Sequence, residues 1–232
     1  MEAMQVKQKI EAPTEWVSSL TIVEKSNSQL HICLDPRDLN KAKKGEHFKL
    51  PTRKEIMAQF ANAQYFSKLD ASSGFWQLKV TEESSKLCTF NTPFGRYRFL
   101  QLPFGIPSAP ELYHKTVYLI YEHINGVHTS RDDFVIWGST KEEHNHKLWE
   151  VLHTTRAANL RLNREKRILE VTELTFVWDI ISNEGVKPDK RKISATEMMP
   201  CPKSKKDVQQ FLGMVNYLRK FKPNCKESNH FR

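Results

Sequence analysis

The 232-residue chain has no apolar run near the ~20 residues that a membrane span needs. Its start, MEAMQVK, lacks the apolar stretch of a signal peptide, so the chain reads as intracellular, in cytoplasm or nucleus. Only four cysteines occur (Cys33, Cys88, Cys201 and Cys225), none in a CxxC pair, which argues against a disulfide framework and against a zinc knuckle. Glycine is sparse at 8 and proline moderate at 11, which excludes collagen-like and low-complexity classes. Internal repeats and phosphate-cradling glycine loops are also missing. What the chain does have is 39% hydrophobic and 10% aromatic residues, enough for one sizeable domain or two small ones and too much for disorder.

The charge is uneven. There are 36 basic and 27 acidic residues, a net of +9, and residues 183–232 hold 12 of the basic against 5 of the acidic ones. A basic C-terminal part suggests a polyanion, nucleic acid first and an anionic membrane surface second; a merely solubilising face explains such a charge about as often.

Pattern gives the organisation. Residues 16–24 (WVSSLTIVE) and 29–34 (QLHICL) are β-rich and joined by the polar cluster 25–28, which predicts a hairpin. Thr52-x-x-Glu55 after Pro51 is a capping box that opens a helix, and residues 65–69 form a short strand ending at Asp70. Ser108, followed by Pro110, caps a helix running to about Gly126. Residues 134–137 (FVIW) form an apolar strand, and Thr140-x-x-Glu143 is a second capping box before a helix carrying Leu148, Val151 and Leu152. A hairpin-like stretch at 176–181 and a basic segment from Lys187 follow. Ser204-x-x-Asp207 then starts a last helix with Val208, Phe211, Leu212 and Val215 at the 3.6 period. Strands and helices alternate without a βαβ rhythm, so the class is mixed α+β.

Asp132 and Asp133 stand side by side just before the apolar strand, and Asp70 ends an earlier one. Carboxylates at strand ends can converge on one sheet edge and bind hard divalent cations. Two such ions about 4 Å apart activate a hydroxyl and neutralise a leaving pyrophosphate. By spacing alone, an Asp-Asp pair is more often a solvated turn.

The surroundings of these aspartates carry more. The stretches WVSSLTIVEK, LHICLDPRDLNKA, FSKLDASSGFWQ, TPFGRYRFLQLPFGIPSAPELY, RDDFVIWG with EEH downstream, LRLNREK and FLGMVNYLRKFKPN occur in order from about residue 13 to 224. Together they resemble the reverse transcriptase of gypsy-type long-terminal-repeat retrotransposon Pol polyproteins, and seven ordered blocks do not arise by chance. The resemblance implies a right-hand polymerase with an antiparallel palm sheet packed on helices: an N-terminal extension at 1–13, fingers and palm at 14–182 with the fingers to about 68, and a truncated thumb or connection at 183–232. It implies RNA-directed DNA polymerase activity, in which a primer 3′-hydroxyl attacks a deoxynucleoside triphosphate on an RNA or DNA template. Two Mg²⁺ (or Mn²⁺) ions would be held by Asp70, Asp132 and Asp133, with Asp70 and Asp132 foremost.

On the same resemblance Phe75 packs under the nucleotide sugar, Ser73 and Gly74 turn backbone amides to the triphosphate, and Lys25 reaches its phosphates. Residue by residue, Phe75 would otherwise be a core aromatic and Lys25 an exposed turn lysine. Arg37, Phe104 and Gly105 match template and nucleotide contacts, and either block can equally be structural. Lys166 matches a proton donor to pyrophosphate, where a helix-end lysine is the commoner meaning. Lys203, Lys205, Lys206, Arg219 and Lys220 would track the nucleic-acid backbone, each neutralised phosphate adding roughly one unit of salt slope.

Four departures from the pattern favour a second reading, a degenerate relic that keeps only the fold and nucleic-acid binding. Ser130 and Arg131 replace an aromatic and a small residue before the aspartates. An arginine charge about 6 Å from the metals would repel each by roughly 3 kcal/mol per unit charge at an effective dielectric near 20. His128, Thr129 and Ser130 make the preceding strand polar, so buried groups there need partners. His31 replaces a nucleotide-binding arginine, and Phe176-Val177-Trp178-Asp179 replaces a Phe-Leu-Gly-His block that positions the primer end. The missing remainder of the thumb and of the parent polyprotein makes the chain look like a fragment of open oligomeric state. His144 and His146 beside Glu142 and Glu143 have zinc-ligand chemistry, but EEH belongs to the matched block.

Overall fold

A computed structural model describes residues 6–24, 30–37, 40, 48, 51–130 and 132–221. The chain opens with a short strand, β1 (Lys7–Lys9), within the stretch read as an N-terminal extension. The predicted hairpin follows as β2 (Ser19–Glu24) and β3 (Leu30–Asp35), antiparallel from Ser19↔Asp35 to Glu24↔Leu30. Ile22, Val23 and Leu30 stay exposed, as expected of a two-stranded ribbon with little to pack on.

Helix α1 (Arg53–Ala58) begins at the predicted capping box: Glu55 N–H donates to Thr52 Oγ1 at 3.3 Å, and Thr52 N–H to Glu55 Oε2 at 2.6 Å. Strand β4 (Tyr65–Asp70) leads to one 3₁₀ turn (Gly74–Gln77) and to α2 (Glu82–Leu87), capped by Thr81. The hairpin β5 (Thr89–Thr92) and β6 (Gly95–Phe99), with β1 against β6, makes a three-stranded sheet that no periodicity announced. It closes over Val6, Leu34, Phe90, Tyr97 and Phe99.

Helix α3 (Ala109–Tyr121) is shorter than expected. Ser108 itself is helical in backbone and makes no side-chain cap, so Pro110 in the first turn sets the start, and the helix stops five residues before Gly126. Strands β7 (Val127–Ser130) and β8 (Asp133–Gly138) form a hairpin, followed by α4 (Lys141–Ala157). Half of the second expected capping box forms. Glu143 N–H donates to Thr140 Oγ1, but the Glu143 carboxylate takes the ammonium of Lys147 and the hydroxyl and N–H of Ser139, which in that order hold it down at about pKa 2.

Strands β9 (Ile168–Val171), β10 (Glu173–Phe176), β11 (Asp179–Ser182) and β12 (Gly185–Pro188) come next. The segment read only as basic therefore holds a third strand of the β10-β11-β12 sheet and the helix α5 (Lys190–Glu197). Helix α6 (Lys205–Arg219) starts at the predicted Ser204/Asp207 capping box. Its periodic apolar residues are substantially exposed, Leu212 at 52% among them.

The centre is the sheet β7-β8-β4-β9. Alternation sends Leu69, Phe134 and Ile136 to a core under α3 and α4, with Tyr113, Val117 and Val151. Phe66 and Val135 go to the opposite core with Phe60, Leu174 and Phe176. With both faces covered, β8 reads as an apolar run, FVIW, with Asp133 at its start.

Candidate active site

Register brings the aspartates together. Asp70, last in β4, lies directly opposite Asp133, first in β8. Ser130 pairs with Asp133, so Asp132 sits on the turn of the β7–β8 hairpin. The turn is tied to the strand end: Ala71 N–H donates to the Asp132 carbonyl at 2.7 Å, and Asn163 N–H to the Asp70 carbonyl at 2.8 Å.

Like charges facing across an antiparallel pair repel. Two lysines offset this. Lys166 Nζ lies 3.1 and 3.2 Å from the two Asp70 oxygens, and Lys68 Nζ lies 2.8 Å from Asp133 Oδ2. Lys68 is two residues before Asp70, on the same face of β4. Lys166 stands in the loop before β9, not at a helix end. Among the described residues, no three His, Cys, Asp or Glu side chains stand arranged to hold a metal ion.

Behind the carboxylates lies Tyr113 of α3, fully buried. Its phenol is pushed well above the usual range, by burial first and then by the charges of Asp132, Tyr121 and Asp70. Gly74 closes the floor: a Cβ there would stand 2.6 Å from both Asp132 Oδ1 and Tyr113 Oη. The preceding Ser73 takes a left-handed φ of 52°. The loop is further held by Gln77, whose Nε2 donates to the Ser72 and Arg161 carbonyls at 2.7 and 2.9 Å.

The Phe75 ring stacks on Phe104 with centroids 4.8 Å apart and tilts on Tyr113 at 5.4 Å. Phe104 is fixed by its carbonyl, which accepts from Leu34 N–H at 2.7 Å. That close approach explains Gly105, whose φ is +103° and whose Cβ would fall 1.8 Å from the Leu34 carbonyl oxygen.

Other expected site residues lie elsewhere or outside the described residues. Lys25 and Arg131 are not among those described; His31 lies on β3 opposite Val23, its side chain likewise outside them. Arg37 is exposed and pairs with Asp35 at 3.0 Å. Lys203, Lys205 and Lys206 stand at the start of α6; Arg219 and Lys220 stand at its other end, about 20 Å away at 1.5 Å per residue. Lys220 turns inward, 3.5 Å from the buried Asp179 carboxylate, which also accepts from Tyr217 Oη at 3.1 Å. His144 is no zinc ligand: it is fully buried, with Nε2 2.9 Å from Ser67 Oγ and Nδ1 3.0 Å from Asn145 Oδ1. Sequence reasoning missed Lys68, Tyr113 and Gln77. The period of β4 marks Lys68; nothing local marks Tyr113, which reads as an ordinary apolar helix position.

An antiparallel sheet with helices on one face, a hairpin packed on the other and acidic residues at a hairpin turn is the architecture of a right-hand polymerase palm. Two solved structures of a foamy viral protease–reverse transcriptase, each in complex with double-stranded DNA, share this fold. They superpose with TM-scores of 0.88 and 0.86 at 24% identity, over 96% of this chain and 39% and 46% of theirs. The family model described as reverse transcriptase (RNA-dependent DNA polymerase) matches residues 19–215, and the chain belongs to that family. It is similar to Pol polyproteins of the Drosophila melanogaster transposons opus (32% identical over 208 residues) and 412 (31% over 232). The Tf2-3 polyprotein of Schizosaccharomyces pombe is 30% identical over 210 residues. These matches take in 89%, 94% and 90% of this chain but only 21%, 18% and 16% of the relatives, so the chain spans about a fifth of their length.

Proposed function

We propose that the chain is the RNA-directed DNA polymerase segment of a retrotransposon Pol polyprotein, which extends a primer with deoxynucleoside triphosphates on an RNA or DNA template. The observation that carries this reading is the convergence of Asp70, Asp132 and Asp133 at one end of the sheet, opposite in register and on the adjoining turn. Its donor chemistry, carboxylates at one end of the sheet, suits hard divalent cations, and the ammonium groups of Lys68 and Lys166 stand as cationic partners of Asp133 and Asp70. Asp70 and Asp132 would hold Mg²⁺ or Mn²⁺, with Asp133 beside them, and two such ions would activate the primer hydroxyl and stabilise the leaving pyrophosphate.

The other roles belong to the chain's own groups. Phe75, braced on Phe104 and Tyr113, gives a flat apolar floor for the sugar. Ser73 and Gly74 bring backbone close to the carboxylates, where triphosphate oxygens would lie; contacts from His31 and Lys25 to the nucleotide belong to the same reading. Lys166, 63% exposed and already at the Asp70 carboxylate, is the group from which a proton would pass to pyrophosphate. Arg37, Gly105 and the α6 cations Lys203, Lys205, Lys206 and Arg219 would run along template and primer, while Lys220 is held on the Asp179 carboxylate; the foamy viral structures are of complexes with double-stranded DNA.

Primer extension on poly(rA)/oligo(dT) with Mg²⁺ tests the reading. The wild-type chain is expected to extend the primer, and Asp132→Asn to do so at least ~10³-fold more slowly, as befits loss of a group acting in the transition state. No extension by the wild type, with nucleic acid still bound, would replace this reading with the relic.

A further inference from the structure

Tyr113 is the buried polar group at this site that the proposed chemistry does not use. Its ring lies under Phe75, the residue is 0% exposed, and Oη has no hydrogen-bond partner among the described residues. A buried hydroxyl without an acceptor weakens a fold, and phenylalanine would fill the same volume without that cost. The geometry supplies an acceptor. Asp132 Oδ1, itself buried, borders the same small space as Tyr113 Oη beside Gly74, where a Cβ would lie 2.6 Å from each. Among the carboxylates, Asp132 bears most strongly on the phenol.

We infer that Tyr113 is a positioning residue for Asp132: its hydroxyl donates to Asp132 Oδ1 through one water held beside Gly74, and so fixes which carboxylate oxygen faces outward beside Asp70. A donor on the inner oxygen leaves the outer one oriented before any cation arrives, and this preorganisation raises cation affinity. Gly74 then serves a second end besides close packing, since it keeps the space between the two oxygens open.

The inference rests on Asp132 being a cation ligand, and the test separates the two claims. Mn²⁺ binding to the full chain is measured by electron paramagnetic resonance for wild type, Asp132→Asn, Tyr113→Phe and Gly74→Ala, beside thermal melting and the Mg²⁺ concentration for half-maximal extension. Tyr113→Phe is expected to melt within about 3 °C of wild type, to bind Mn²⁺ about tenfold more weakly, and to need correspondingly more Mg²⁺ at an unchanged KM for the nucleotide. Gly74→Ala keeps the phenol but fills the intervening space, and it should weaken Mn²⁺ likewise; should Tyr113→Phe not fold, Gly74→Ala decides. Wild-type affinity in both variants, with binding lost in Asp132→Asn, overturns the positioning role and leaves the metal reading standing. Mn²⁺ binding indifferent to Asp132→Asn overturns both.

Discussion

His128 lies on β7, 7% exposed, its ring edge-on to Phe176 at a centroid distance of 6.0 Å and its Nε2 without a hydrogen-bond partner among the described residues. Burial first, and the neighbouring His114 second, hold its pKa down at about 4 against an ordinary 6.5. The native state thus refuses a proton that the unfolded chain accepts. Stability is complete above pH 6.5, falls as the pH drops toward 4, and levels off below. Two and a half pKa units at about 1.4 kcal/mol each set a ceiling of about 3.5 kcal/mol, of which about 2.5 kcal/mol is already lost at pH 4.5. Against a typical total of about 5–15 kcal/mol this is a large share. Urea unfolding at pH 7.5 and 4.5 measures it, with His128→Leu as the non-titrating reference that cancels the carboxylates common to both proteins. Wild type should lose about 2.5 kcal/mol more than the variant on acidification. At pH 7.5 the variant should match wild type or gain up to about 1 kcal/mol, because an unsatisfied imidazole has been removed. Equal losses in the two proteins would refute the burial argument.

Two backbone predictions follow. Gly105→Ala puts a Cβ 1.8 Å from the Leu34 carbonyl at a φ of +103° and should cost more than about 3 kcal/mol, since neither backbone can yield; a thermal midpoint within 3 °C of wild type, by the size scaling of such shifts, would contradict it. Val177 and Trp178 form the two-residue turn of the β10–β11 hairpin with φ of +48° and +71°, a conformation that favours Asn-Gly. Val177→Asn with Trp178→Gly should raise the melting midpoint by about 3 °C, the gain being trimmed by loss of the Lys192 ammonium over the Trp178 ring; a lower midpoint would count against backbone strain at this turn.

That turn also gives the Trp178 departure a structural meaning. A glycine would enter the left-handed region without steric cost, whereas tryptophan enters it 66% exposed, its carbonyl accepting from Tyr217 Oη. The polar strand at 128–130 likewise resolves in part: His128 is buried with its Nε2 unpartnered among the described residues, and the expected cost is acid sensitivity.

Features that depend on residues close along the chain are legible in the sequence. The capping boxes at Thr52/Glu55 and Ser204/Asp207 form because both partners lie within one helical turn. The β2–β3 hairpin and the strand ending at Asp70 followed from composition and turn chemistry, and the seven ordered blocks carried the family. Only the tertiary structure decided what depends on distant segments: β1 joining β6, Asp70 meeting Asp133, Lys68 and Lys166 compensating them, and Tyr113 brought behind Asp132. Helix α6 keeps a perfect apolar period yet leaves that face exposed, because periodicity states which residues share a side and not whether anything packs against it. Local hydrogen bonds are encoded by neighbours, whereas register and packing are settled only when the whole sheet closes its two cores.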